Sequence, residues 1–105
     1  MDLNDYQANA AKTALVDEHV ALSYNIIAIA GEAGELAGKL SKTMRDPDRY
    51  LVPSDVAKEL GDVLWHVSEA ARALGYTLNE IAVLNLYKLQ DRSLRNTLIG
   101  DGDNR

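Results

Sequence analysis

The chain has 105 residues, 47% of them hydrophobic, and a formal net charge of −5. It is long enough for one domain, residues 1–105, with a modest core, and too hydrophobic to be disordered. The absence of cysteine excludes disulfides and thiolate metal sites. The negative net charge argues against binding long nucleic acid. The sequence has neither an apolar run of roughly 18–20 residues nor a signal peptide, which predicts a cytoplasmic protein outside the membrane.

The first half of the chain predicts two helices and no strand. The first covers about residues 5–16, with Asn4 as N-cap and Gln7 completing a capping box. The second covers about residues 20–44, because apolar residues recur there every three or four positions. The connection over residues 45–53 contains both prolines of the chain and should interrupt the helical pattern.

The third helix is expected to begin near Ser54, a good N-cap, and to end at Leu74. Gly75 follows at the position where helices commonly adopt the left-handed conformation. Since helices two and three are long and the link between them is short, they should form an antiparallel pair within a bundle.

The fourth helix is expected from Thr77 to about Arg95, because Thr77 and Glu80 form a capping box. A polar tail, residues 96–105, follows it. Helix four is apolar on nearly all sides, more than a chain of this size can cover alone. The predicted fold is therefore an all-α, antiparallel bundle of about four helices, completed by association into a homodimer or homotetramer.

Two pairs of acids lie beside the apolar stripes of helices two and three. Glu32 and Glu35 are three residues apart and share one helix face, and Glu59 and Asp62 repeat this spacing. An antiparallel hairpin can bring the two pairs level across one groove. Four carboxylates that converge there would not all stay ionised without a cation. All-oxygen ligands favour Mg²⁺, with Mn²⁺ as a substitute, and the absence of an E-x-x-H motif makes iron the weaker interpretation.

A single E-x-x-E pattern in an acidic protein usually marks a solvated helix face. Two such pairs beside the core on consecutive helices are harder to attribute to chance, and glycines interrupt both helices around the acids. Each glycine costs about 1 kcal/mol relative to alanine within a helix, which favours a site where a backbone or ligand must approach closely. These glycines are Gly31, Gly34, Gly38 and Gly61.

These motifs carry a family resemblance. The segments Gly31-Glu-Ala-Gly-Glu-Leu-Ala37 and Lys58-Glu-Leu-Gly-Asp-Val-Leu-Trp65 resemble the paired E-x-x-E and E-x-x-D signature of the MazG-like, all-α nucleotide pyrophosphohydrolases. The resemblance extends to Asn85-Leu-Tyr-Lys88-Leu-Gln-Asp-Arg92, to the Asp5-Tyr-Gln start and to the terminal Gly-Asp-Asn-Arg, and so covers most of the chain.

The resemblance implies Mg²⁺-dependent hydrolysis of a nucleoside or deoxynucleoside triphosphate to the monophosphate and pyrophosphate, as in the house-cleaning of nucleotide pools. It implies that Glu32, Glu35, Glu59 and Asp62 are the metal ligands, and that basic residues of helix four lie near the phosphates. These basic residues are Lys88 and Arg92. The chain lacks the glycine expected straight after this basic helix, where it has Asn96-Thr-Leu-Ile.

Further residues fit roles within this hypothesis. One of the four carboxylates should take the proton from the attacking water; Glu35 is favoured, with Glu59 as the second catalytic candidate. Lys39 fits an i,i+4 salt bridge with Glu35 first and a phosphate contact second, and Arg95 extends the basic stripe of helix four. The candidates for nucleotide contact are Asn25, His66 and Asn85, although a structural role for His66 fits equally well.

Two alternatives to this function remain open from the sequence. The first is a related activity, that of a dimeric dUTPase or a phosphoribosyl-ATP pyrophosphohydrolase. The second is a non-catalytic helical interaction or regulatory module, in which the acids serve only solubility. Neither the base, the sugar nor the number of metal ions is indicated by any motif.

Overall fold

A computed structural model describes residues 1–96 and 98–104, in which four α-helices and one 3₁₀ turn are present and strands are absent. This confirms the all-α prediction. The predicted polar tail includes Thr97 and Arg105, which lie outside the described residues. The elements are α1 (Leu3–Ala11), the 3₁₀ turn Glu18–Val20, α2 (Ala21–Arg45), α3 (Pro53–Leu74) and α4 (Leu78–Leu94).

The first helix differs from its prediction at both ends. Its N-cap is Asp2, whose side chain accepts a hydrogen bond from the Asp5 backbone N–H at 2.8 Å while the Asp5 carboxylate accepts from Asp2 N–H at 3.2 Å. Asn4, the predicted cap, instead accepts from the Asn79 backbone N–H at 3.1 Å. The helix ends at Ala11 rather than near residue 16. Just beyond this end, the Thr13 hydroxyl donates to the Ala10 carbonyl at 2.7 Å and competes with the hydrogen bonds that would continue the helix.

The ends of the later helices lie close to their predicted positions. The predicted cap of α3 is wrong: Ser54 lies inside the helix, and the N-cap is Val52, whose side chain makes no capping hydrogen bond. The helix begins at Pro53, which suits the first helical position because it has no N–H to leave unpaired. Gly75 ends this helix with φ +85°, as predicted for a residue without a side chain. The Thr77–Glu80 capping box at the start of α4 is confirmed.

Helices α2 and α3 form the antiparallel pair that positions the site. His66 on α3 contacts Asn25 near the start of α2, and Glu59 contacts Lys39 further along α2. Lys39, the later of the two α2 residues, thus meets Glu59, the earlier of the two α3 residues, so the two helices run antiparallel.

The buried core is small and partly polar. Its apolar members are mostly alanines, which allow close helix approach: Ala10, Ala21, Ala70, Ala71 and Leu78. Gln7 ties α1 to the α3–α4 junction, because its amide donates to the carbonyls of Ser68 and Tyr76 and accepts from Leu78 N–H. The bonds to the Tyr76 carbonyl and the Leu78 N–H satisfy backbone groups at the α3–α4 junction that have no helical partner, and the bond to the Ser68 carbonyl adds a second donor to a group inside α3.

Helix α4 leaves much apolar surface uncovered. Leu84, Leu86 and Tyr87 are 55%, 65% and 67% exposed. The radius of gyration is 16.6 Å, whereas a compact chain of about 100 residues has about 13 Å. None of the described helices combines the length and the apolar character that a bilayer crossing requires.

Candidate metal site

The groove between α2 and α3 brings carboxylates from both helices together. One oxygen from each of Glu32, Glu59 and Asp62 lies within 4.8 Å of the others. The arrangement follows from the three-residue spacing on α3, which places Glu59 and Asp62 on one face, and from the antiparallel register, which sets that face against Glu32.

The fourth predicted acid, Glu35, lies beside this cluster. It is exposed, and its oxygens are not among those that converge within 4.8 Å. Burial raises the pKa of Glu32, and the charges of Glu35, Asp62 and Glu59 and a hydrogen bond with Glu35 raise it further. The pKa of Glu32 is thus raised in the direction expected for a partly desolvated carboxylate beside other acids.

Glu59 shows most directly that a cation suits this groove. Its Oε1 accepts a hydrogen bond from Lys39 Nζ at 2.5 Å, whereas its buried Oε2 has no hydrogen-bond partner among the described residues. A buried carboxylate oxygen without a partner is costly. Together with the carboxylates of Glu32 and Asp62, Glu59 forms an oxygen-only donor set of the kind that Mg²⁺ binds, so the residues fit a divalent cation.

Lys39 pairs across the groove with Glu59, and not along its own helix with Glu35 as the sequence had suggested. This hydrogen bond raises the pKa of Lys39 more than the other nearby carboxylates do, although partial desolvation acts in the opposite direction. The ammonium therefore stays charged beside the cluster and marks one end of it.

His66 marks the other end of the cluster. Its Nδ1–H donates to Asn25 Oδ1 at 2.8 Å, and its Nε2 lies 3.9 Å from Glu32 Oε1. Asn25 is 2% exposed and its amide N–H donates to the Ala21 carbonyl at 2.8 Å, so both ends of this side chain are engaged inside the protein. Asn25 orients the imidazole, and a direct nucleotide contact by Asn25 remains a prediction.

Aromatic side chains surround this end of the site. The rings of Tyr24 and Trp65 meet His66 edge-on, with centroids 6.1 and 5.0 Å away, and the Trp65 indole N–H donates to the Thr13 hydroxyl. Tyr6 of α1 was not among the predicted residues. Its pKa is raised by burial and, to a smaller extent, by the negative charge of Asp62.

The predicted basic residues of α4 contact the tail and their own helix. Lys88 and Arg92 both pair with Asp103, at 3.1 and 3.4 Å, and Arg92 also donates to the Asp103 and Gly102 carbonyls. Lys88 is the main cause of the lowered pKa of Asp103. Arg95 pairs with Asp91 at 2.7 Å.

Asn85, the third predicted nucleotide contact, lines a cavity of about 310 Å³ between α4 and the preceding helices, together with Leu3 and Leu64. The structure therefore places Asn85 beside mainly apolar side chains, and its contact with a nucleotide remains a prediction.

The fold and this cluster define an all-helical protein with a carboxylate site suited to a divalent cation. The model of the MazG nucleotide pyrophosphohydrolase domain matches residues 22–95, and the chain belongs to this family, which is generally metal-dependent. Gene 37 protein of Mycobacterium phage L5 is 39% identical over 114 aligned residues, which cover all of both chains. No solved structure matches the chain significantly.

Proposed function

We propose that this protein hydrolyses a nucleoside or deoxynucleoside triphosphate to the monophosphate and pyrophosphate in a Mg²⁺-dependent reaction, and that it serves nucleotide-pool house-cleaning. The observation that carries the proposal is the convergence of carboxylates from α2 and α3, one of which, Glu59, has a buried Oε2 without a hydrogen-bond partner among the described residues. The matched family consists of nucleotide pyrophosphohydrolases, which supports the reaction class.

Glu32, Glu35, Glu59 and Asp62 are the residues that would hold Mg²⁺, or Mn²⁺ as a substitute. When bound, the cation neutralises part of the triphosphate charge and makes a water molecule more acidic. Lys39 donates to one oxygen of Glu59, and the other has no hydrogen-bond partner among the described residues. The Asn25–His66 pair supports Glu32 from the opposite end.

The reaction requires a group that accepts the proton of the attacking water. The water oxygen forms a bond to the α-phosphorus, the bond from that phosphorus to the α–β bridging oxygen breaks, and the bridging oxygen leaves with pyrophosphate. Glu35 suits the proton transfer because its carboxylate is exposed beside the cluster, where water can reach it. Glu59 is the second catalytic candidate, although Lys39 already occupies one of its oxygens.

Substrate binding then falls to cations and polar groups around the groove. Lys39 would contact the phosphates, and Lys88, Arg92 and Arg95 would do so from α4, with His66, Asn25 and Asn85 near the nucleoside. The side chains of Asp103 and Lys88 are 81% and 39% exposed, so their ion pair is of the weak, solvent-screened kind that a phosphate can replace. Arg92 is 5% exposed and also donates to the Gly102 and Asp103 carbonyls, so a phosphate would have to displace the tail to reach it.

The assembly proposed for this function is a cytoplasmic homodimer or homotetramer of single-domain chains. The exposed apolar side chains of α4 and the expanded radius of gyration support it, because they leave surface that a second copy would cover. Sedimentation velocity should therefore give two or four chains per particle; a monomer at micromolar concentration would refute this part of the proposal.

The test of the activity is turnover of the four common ribonucleoside and four deoxyribonucleoside triphosphates, with pyrophosphate detection, with Mg²⁺ and with EDTA. We expect pyrophosphate from at least one triphosphate with Mg²⁺ and none with EDTA. Thermal unfolding with and without Mg²⁺ separates this outcome from the non-catalytic module, because a ligand bound only by the native state must raise the midpoint.

A further inference from the structure

A cavity of about 450 Å³ lies at the turn between α2 and α3, outside the carboxylate cluster. Three cations line it: Lys39, Lys42 and Arg49. Two acids, Asp48 and Asp55, also line it, so its walls carry one more positive than negative charge in a chain whose net charge is −5. Because Lys39 is already paired with Glu59, the positive charge that suits an anion here is that of Lys42 and Arg49.

The cations of this cavity are available to a ligand to different degrees. Lys42 makes no ion pair with any residue of the described chain, and Arg49 pairs only at 3.4 Å with Asp46, with 54% of its side chain exposed. Both can turn to a phosphate without breaking a strong bond. Tyr50 is 80% exposed and adds a hydroxyl donor to the lining.

The cavity is continuous with the proposed metal site. Lys39 lines the cavity and donates a hydrogen bond to Glu59 of the cluster, so the cavity begins where the carboxylates end. Along α2, Lys42 is seven residues beyond Glu35, which is two helical turns on one face and about 10 Å. Long basic side chains can span most of that distance toward a phosphate held above the carboxylates.

We propose that this cavity receives the β- and γ-phosphates of the substrate and then the pyrophosphate product, with Lys42 and Arg49 as their ligands. The inference rests on the proposed hydrolysis and assigns the substrate a direction in the groove. The triphosphate lies along α2 and α3, with the α-phosphate at the carboxylates, the leaving group toward the helix turn, and the nucleoside toward His66, Tyr24 and Trp65. Lys42 and Arg49 would then stabilise the charge that develops on the departing bridging oxygen.

The test is isothermal titration calorimetry with inorganic pyrophosphate and, separately, with nucleoside monophosphates, both in the presence of Mg²⁺. We expect Lys42→Ala and Arg49→Ala each to weaken pyrophosphate binding about tenfold, because each removes one charge-assisted hydrogen bond. Monophosphate binding should change less than about twofold, and Lys42→Arg should restore most of the pyrophosphate affinity.

Arg45→Ala is the matched control. It removes the same charge from the same helix end, but Arg45 does not line the cavity. Equal weakening by Arg45→Ala would show a general field effect and overturn the assignment. Unchanged pyrophosphate binding in Lys42→Ala and Arg49→Ala, or a loss confined to monophosphate binding, would also overturn it.

Turnover of wild-type protein is measured alongside the titrations. If turnover is normal and pyrophosphate binding is insensitive to Lys42 and Arg49, the cavity assignment is wrong while the proposed function stands. If no triphosphate is hydrolysed, the proposed function itself fails. The alanine variants should unfold within about 2 °C of wild type, because both side chains are exposed and weakly paired.

Discussion

Replacing Glu32 with glutamine should stabilise the protein without metal and destabilise it relative to wild type with metal. The pKa of Glu32 is raised by burial and by three neighbouring carboxylates, so the folded state favours its neutral form. The stability that this group contributes is present below its unfolded pKa and is lost as pH rises through the raised folded value. At pH 7.5 without Mg²⁺, Glu32→Gln should therefore raise the unfolding midpoint, and the difference should vanish near pH 4.

Mg²⁺ should reverse this order. At 100 times its dissociation constant, a ligand that binds only the folded state stabilises it by about 2.7 kcal/mol, which raises the midpoint of a domain of this size by about 10–20 °C. If loss of one ligand weakens Mg²⁺ binding about 100-fold, the same Mg²⁺ concentration should raise the thermal unfolding midpoint of Glu32→Gln by only about 2–3 °C.

Differential scanning fluorimetry at several pH values, with Mg²⁺ or EDTA, measures both effects. The control is Asp101→Asn, which removes an equal charge from the exposed tail and should leave the Mg²⁺ response unchanged. A Glu32→Gln protein that is less stable than wild type in EDTA at pH 7.5, or one that keeps the full Mg²⁺ response, would refute the reasoning.

Three further predictions concern the packing that holds the site, each measured by urea unfolding. Gln7→Ala should lower the free energy of unfolding by about 2–3 kcal/mol, because it removes the amide that bonds the Ser68 and Tyr76 carbonyls and the Leu78 N–H. A loss under about 1 kcal/mol would mean that water replaces the amide. Arg72→Met should lower the free energy of unfolding by about 3–5 kcal/mol, because it leaves the Glu69 carboxylate, which is 1% exposed, without its cationic partner. Glu18→Gln removes only an exposed partner of Arg72 and should lower it by less than about 1 kcal/mol. Thr77→Ala should cost about 1 kcal/mol by removing the N-cap of α4. The Thr77 backbone N–H, and to a smaller extent its side chain, lower the pKa of Glu80, so the contribution of this carboxylate is present above the unfolded pKa and lost as pH falls through the folded one. Alanine keeps the backbone N–H and loses only the hydroxyl that accepts from the Glu80 N–H, so most of the Thr77→Ala deficit should persist toward pH 3.

Local signals predicted the helices well where capping chemistry decided their ends. The Thr77–Glu80 box and Gly75 fixed the α3–α4 junction correctly. The start of α1 was wrong because two capping-box patterns overlap there. The structure uses the one led by Asp2, since Asn4 and Gln7 are engaged with α4 and the α3–α4 junction. Such tertiary competition cannot be read from neighbouring residues.

The site was predictable to the extent that it depends on helical spacing. Spacing identified the acids, and the structure brings Glu32, Glu59 and Asp62 together as the hairpin required. Spacing also suggested that Lys39 pairs within its helix, because an interhelical contact depends on the exact register of α2 against α3. Nothing in the local sequence indicates an electrostatic interaction of Tyr6 with Asp62, because that interaction depends on how α1 packs against α3.

Phosphorus NMR of a triphosphate that the protein consumes tests the central claim most directly. With Mg²⁺ and wild-type protein, we predict equal and simultaneous growth of monophosphate and pyrophosphate signals, with no diphosphate intermediate. Glu59→Gln, which removes one of the converging carboxylates, should slow both signals at least about 100-fold. Release of inorganic phosphate with a nucleoside diphosphate, or unchanged turnover by Glu59→Gln, would contradict the account.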